Sequence, residues 1–139
     1  MSVLSVCHCL ALRKATRQIT QYYDDKLAPT GIRTTQFSIL QQIKAVGEIT
    51  VTALAEHLDL DRTTAARNLQ PLERFGFIEI GQSLKDGRFR TINLTPEGIA
   101  ILEMAAPLWR EAQEGFERAN SSDRVAALRS ALAGLNFAE

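Results

Sequence analysis

Little in this 139-residue chain points to catalysis, export or a metal. Cysteine occurs twice, as Cys7 and Cys9, too close together for an intrachain structural disulfide. Histidine also occurs twice. His8 lies beside the cysteines and His57 far along the chain, which falls short of the four well-spaced ligands a zinc site needs, so no metal is expected. There is no Gly-rich phosphate loop and no Gly-x-Ser-x-Gly elbow, so we expect no catalytic residue, no enzyme and no cofactor. No run approaches the ~18 apolar residues of a membrane helix. The opening Met-Ser-Val-Leu-Ser-Val-Cys-His-Cys lacks the basic start and apolar stretch of a secretory signal, which makes the cytoplasm the expected location, without a membrane partner. Net charge is absent as well. Sixteen Lys and Arg balance sixteen Asp and Glu, which argues against a non-specific nucleic-acid coat.

What remains is an ordinary globular composition, 45% hydrophobic and 23% charged, of a length that suits one domain. Apolar spacing predicts a helix over about 6–27, broken by Ala28-Pro29-Thr30-Gly31, and a second over about 34–45, closed by Gly47. Two shorter helices follow. The first, about 51–58, has Thr50 as N-cap and buries Val51, Leu54, Ala55 and Leu58. The second, from Arg62 to about Phe75, is capped by Asp61 and buries Ala65, Leu69 and Leu72. Pro71 within it predicts a kink or an early loosening. After Gly76 the period becomes strand-like over 77–80 and 90–94, with Asp86-Gly87 as hairpin chemistry between them. Thr95-Pro96-Glu97 then opens a long helix striped by Ile99, Leu102, Ala106, Trp109, Ala112 and Phe116. A last helix carries Val125, Leu128, Leu132 and Leu135.

Two short helices joined by Asp59-Leu60-Asp61 form a helix-turn-helix pattern. The second helix offers Arg62, Thr63, Thr64, Arg67 and Asn68 outward near its start, with Thr52 on the bracing helix. Arg pairs with guanine, Asn with adenine, and a Thr methyl touches thymine. Ala65 and Ala66 keep the helix slim enough for a groove about 12 Å wide. Such residues also suit a plain solvated face, but the hairpin that follows adds Lys85, Arg88 and Arg90. From Arg62 to Arg90 six basic residues (62, 67, 74, 85, 88, 90) face three acids (73, 79, 86), so this stretch is positive within a neutral chain. That is a basic finger suited to phosphates or a narrow minor groove.

The chain resembles the MarR family of winged helix-turn-helix transcriptional regulators. The likeness rests on Gly31 through Leu40, on Leu54-Ala55-Glu56-His57-Leu58, on Arg67 through Arg74, on Asp86-Gly87-Arg88, and on Leu94-Thr95-Pro96-Glu97-Gly98. It implies a mainly α (α+β) fold over residues 1–139. The winged helix-turn-helix would span about 34–95, and helices over about 5–28 and 96–137 would form a dimerisation region. It further implies a homodimer on a pseudo-palindromic double-stranded DNA operator, Arg62, Thr63, Thr64, Arg67 and Asn68 in the major groove, and Arg88 in the minor groove. Independently, Trp109, Phe116 and the leucines of the last helix present more apolar surface than a small domain covers alone, which favours two-fold pairing.

The resemblance also implies a switch, and two readings compete. In one, a small aromatic effector releases a repressor from DNA, held in a cleft lined by His8, Arg13, Tyr23, Arg33 and Phe37. In the other, Cys9 is a redox sensor. Cys9-Leu10-Ala11-Leu12 with Tyr23 fourteen residues on resembles the peroxide-sensing OhrR branch, although Thr34 stands where that branch has a second tyrosine. Cys7 and Cys9 also suit small core positions. A third reading, of another class, is a protein-interaction adaptor that keeps the fold without binding DNA.

Overall fold

The computed structural model describes residues 2–83, 85, 87 and 90–138. Among them the order is α1 (Val3–Val6), α2 (His8–Leu27), a 3₁₀ turn (Ala28–Thr30), α3 (Thr34–Val46), β1 (Ile49–Thr50), α4 (Val51–His57), α5 (Arg62–Arg74), β2 (Ile78–Gln82), β3 (Arg90–Leu94), α6 (Pro96–Asn120) and α7 (Ser122–Ala133). The result is the expected mainly helical winged architecture, with a small antiparallel sheet in the order β1-β3-β2.

Local chemistry places most boundaries. Gly31 ends the 3₁₀ turn at φ 80°, and Gly47 ends α3 at φ 87°, where its N–H donates to the Ile43 carbonyl. Thr50, Asp61 and Thr95 each cap the helix that follows, accepting from the backbone N–H three residues on. One expectation needed correction. The first helix does not run unbroken from Val6: Cys7 is extended (ψ 112°), and its Sγ accepts from the Leu10 N–H, so a separate α2 begins at His8. Helix α5 runs to Arg74, close to the expected end, with Pro71 inside it; the cost falls on the Arg67 carbonyl, which loses its donor four residues on. One strand, β1, went unread. Its two residues pair Ile49 with Ile92 and Thr50 with Thr91, too short a run to show any period.

The core joins the winged unit to the long helices. Leu27, Leu40, Ile43, Leu54, Leu69, Leu72, Ile78, Ile92 and Leu102 are all fully buried, drawing on α2 through α6 and both wing strands. Phe37 of α3 stacks on Trp109 of α6 with ring centroids 5.8 Å apart, fixing the winged unit against the long helix. By contrast α7 buries only Val125, and Leu128, Leu132 and Leu135 are 45%, 45% and 48% exposed. Among the described residues no helix is long and apolar enough to cross a membrane.

Candidate nucleic-acid interface

The site is built on the turn between α4 and α5. Leu54 and Ala55 of α4 and Ala65 and Leu69 of α5 are buried at this corner. Asp59 takes a left-handed φ of 53°, and the Leu60 N–H returns to the Ala55 carbonyl at 2.8 Å, so the turn is tied to the bracing helix. His57 Nδ1 lies 2.8 Å from the Gln42 amide nitrogen, linking α4 back to α3.

Asp61 then sets the start of α5. Its carboxylate accepts from the Thr64 N–H at 2.6 Å and from the Thr64 hydroxyl at 2.9 Å. These two bonds, the backbone one foremost, hold its carboxyl below the usual carboxylate range, and the charge of Arg67 adds to the effect. Because the folded value is depressed, the stabilisation is complete above the unfolded value and drains as pH falls through the folded one. We therefore expect Asp61→Asn to be less stable than the parent by a constant margin above about pH 5, and the margin to shrink at lower pH. Chemical denaturation across pH measures this; a margin that does not change with pH would leave the carboxylate without a role.

Thr64 is thus committed to the cap. Arg62, Thr63, Ala66, Arg67 and Gln70 surround one open depression on the outward side of α5. Asn68 is not among them. It is half-buried on another side of the helix, in a groove with Gly31, Arg33, Thr35, Gln36, Pro71 and Phe75. Thr52, in the first turn of α4, is exposed, as are Lys85 and Arg90 of the hairpin. The Lys85 N–H donates to the Ser83 hydroxyl at 3.1 Å. Arg88 and the Asp86 of the expected turn lie outside the described residues. Gln70 is the residue that sequence reasoning passed over. Its spacing, eight from Arg62 and three from Arg67, was the available signal.

The residues expected to line an effector cleft do not surround one cavity in a single chain. Phe37 is buried against Trp109, and Arg33 is exposed beside Phe75. Tyr23 faces a small cleft between α2, α6 and α7 and donates its hydroxyl to Gln113. Burial, then the neighbouring Tyr22 and Glu117, pushes its phenol up. His8 and Arg13 are exposed on α2. Cys7 is half-buried and Cys9 exposed. Cys9 and Tyr23 share one continuous helix, where fourteen residues span ~21 Å, so a tyrosine supporting this thiol would have to come from a second copy.

A helix-turn-helix whose second helix stands exposed beside a two-stranded wing defines a winged-helix protein. The comparisons sharpen this. The MarR family model matches residues 32–89. An uncharacterized HTH-type transcriptional regulator of Bacillus anthracis is 34% identical over 107 residues, spanning 77% of this chain and 71% of that protein. MosR of M. tuberculosis, solved in complex with DNA, is 35% identical with a TM-score of 0.80, covering 91% of each chain. The repressor CouR, solved on a 23-mer DNA duplex, is 28% identical with a TM-score of 0.83, covering 96% of this chain and 94% of that one. The chain belongs to the MarR family and is a transcriptional regulator.

Proposed function

We propose that the chain is a homodimeric, sequence-specific repressor that grips a pseudo-palindromic duplex in the cytoplasm and leaves it when a small aromatic acid binds. The observation that carries this reading is the outward face of α5, where Arg62 and Arg67 stand exposed with no carboxylate among the lining residues. Beside it the hairpin adds Lys85 and Arg90, and Arg88 by sequence. Pairing through the exposed leucines of α7 would set two such faces about one DNA turn, ~34 Å, apart.

For the effector, the groove beside Arg33 has suitable chemistry. It holds about 420 Å3, within the ~300–1,000 Å3 of small-molecule sites. The Arg33 guanidinium suits a carboxylate, Phe75 and Pro71 suit a ring, and the Asn68 and Gln36 amides suit a hydroxyl. Because the groove lies between α5 and the α2–α3 connection, a molecule seated there would act on the angle of α5. A second reading, release by an oxidant through Cys9, has in its favour the exposure of that thiol in the first turn of α2.

Selection of bound duplexes from a random library, followed by titration across salt and sedimentation, tests the core of this reading. We expect a pseudo-palindromic site, a dimer, and affinity that falls steeply with salt. A chain that stays monomeric at micromolar concentration and retains no duplex at low salt would overturn it. Hydroxybenzoates added to the selected complex, and hydroperoxide added to the parent and to Cys9→Ser, separate the two switches.

A further inference from the structure

The outward face of α5 has an uneven profile that bears on which bases it reads. Along one row of the helix stand Arg62, Ala66 and Gln70, each four residues from the next, with Thr63 and Arg67 on the neighbouring row. Residues so spaced lie about 6 Å apart at Cβ. Ala66 stops at its methyl and is exposed, between two long side chains. The profile is therefore a notch floored by a methyl group, with a carboxamide on one side and a guanidinium on the other. Asn68, the other carboxamide of α5, is turned into the groove beside Arg33.

We propose that this notch reads an A·T step, a thymine C5-methyl resting on Ala66 and an adenine held by Gln70. The proposal rests on the reading of the chain as a duplex-binding regulator. In the major groove thymine alone offers a methyl group, and adenine offers N7 as acceptor and N6–H as donor. The Gln70 Nε2–H donates to N7, and Oε1 accepts from N6–H. A G·C pair at the same place has no methyl for the notch. Nor does any carboxylate among the lining residues accept from a cytosine amino group. Gln70, and not Asn68, is then the residue that selects adenine, while Arg67 remains free for a guanine.

Single-atom changes in the selected operator test this. Each thymine is replaced in turn by deoxyuridine, which removes only the methyl, and each adenine by 7-deazaadenine, which removes only N7. We expect the parent to lose about fivefold in affinity at one thymine and at one adenine of each half-site, the equivalent of ~1 kcal/mol. Gln70→Ala should abolish the 7-deazaadenine penalty and keep the deoxyuridine penalty. Ala66→Leu fills the notch with a strong helix former and should abolish the deoxyuridine penalty. Asn68→Ala should leave both penalties in place. Unfolding midpoints equal to the parent's establish that the variants are folded. A 7-deazaadenine penalty that persists in Gln70→Ala, or a parent indifferent to every deoxyuridine, overturns the assignment. Failure to select any duplex overturns it through the regulatory reading, which makes the two failures distinguishable.

Discussion

Gly98→Ala should lower the free energy of unfolding by about 3 kcal/mol, the upper part of the range for one methyl forced into a filled site. Gly98 is buried in the first turn of α6, where a Cβ would stand 2.1 Å from the Phe77 carbonyl oxygen and 3.2 Å from Leu94 Cδ2. The nearest obstacle is backbone, so no side-chain rotation relieves it. The carbonyl is also pinned. Phe77 O accepts from the Thr95 N–H at 3.1 Å, while Thr95 Oγ1 donates to the Gly76 carbonyl and accepts from the Gly98 N–H. Relief therefore means moving the start of α6 away from the root of the wing, at the expense of these bonds. Urea denaturation at a fixed protein concentration, which a dimer requires, should show a lower midpoint with an unchanged slope. The melting temperature should fall by on the order of 10 °C. A loss under about 1 kcal/mol would mean the two segments yield more readily than their bonding suggests.

That glycine illustrates what a sequence conveys and what it withholds. Thr95-Pro96 announces a helix start, because capping chemistry is local and needs only the residues that follow. The reason for glycine at 98 is a carbonyl twenty-one residues earlier in the chain, and no window of sequence contains it. The same division runs through the molecule. Thr50, Asp61, Gly47 and Gly76 act through near neighbours and were legible. The strand Ile49–Thr50 exists only because β3 lies beside it, so it left no periodic trace. On α5, the spacings from Arg62 and Arg67 point to Gln70, whereas the residues near the helix start suggest Asn68, whose direction depends on how α5 packs against the α2–α3 connection. The effector residues expected from sequence scatter for a related reason. His8 and Tyr23 lie on one rigid helix fifteen residues apart, ~22 Å along its axis, and Phe37 is taken up by Trp109. Periodicity reports which side of a helix is apolar, and not which neighbour will cover it.

Arg67→Glu should cost the regulator nearly all of its operator affinity while leaving it folded. Arg67 is exposed on the outward face of α5, so the fold does not depend on burying it. Its charge helps to hold down the carboxyl of Asp61. Reversing the charge should let that carboxyl titrate higher, a small effect that works in the same direction as Asp61→Asn. On DNA the consequence is larger. In the proposed complex a bidentate Arg–guanine pair contributes ~1–3 kcal/mol, and the dimer would make the contact twice, so its loss alone amounts to about 2–6 kcal/mol, or about thirtyfold to twenty-thousandfold. Repulsion between glutamate and the phosphates adds to this and should weaken non-specific duplexes too, with a shallower salt dependence. Arg67→Lys separates the two contributions. It keeps the charge but not the planar fork, so it should retain non-specific binding and lose discrimination at a single base pair in each half-site. Fluorescence anisotropy on the selected operator and on a scrambled duplex measures all four combinations. Should Arg67→Glu bind the operator within twofold of the parent, α5 cannot be the helix that enters the groove.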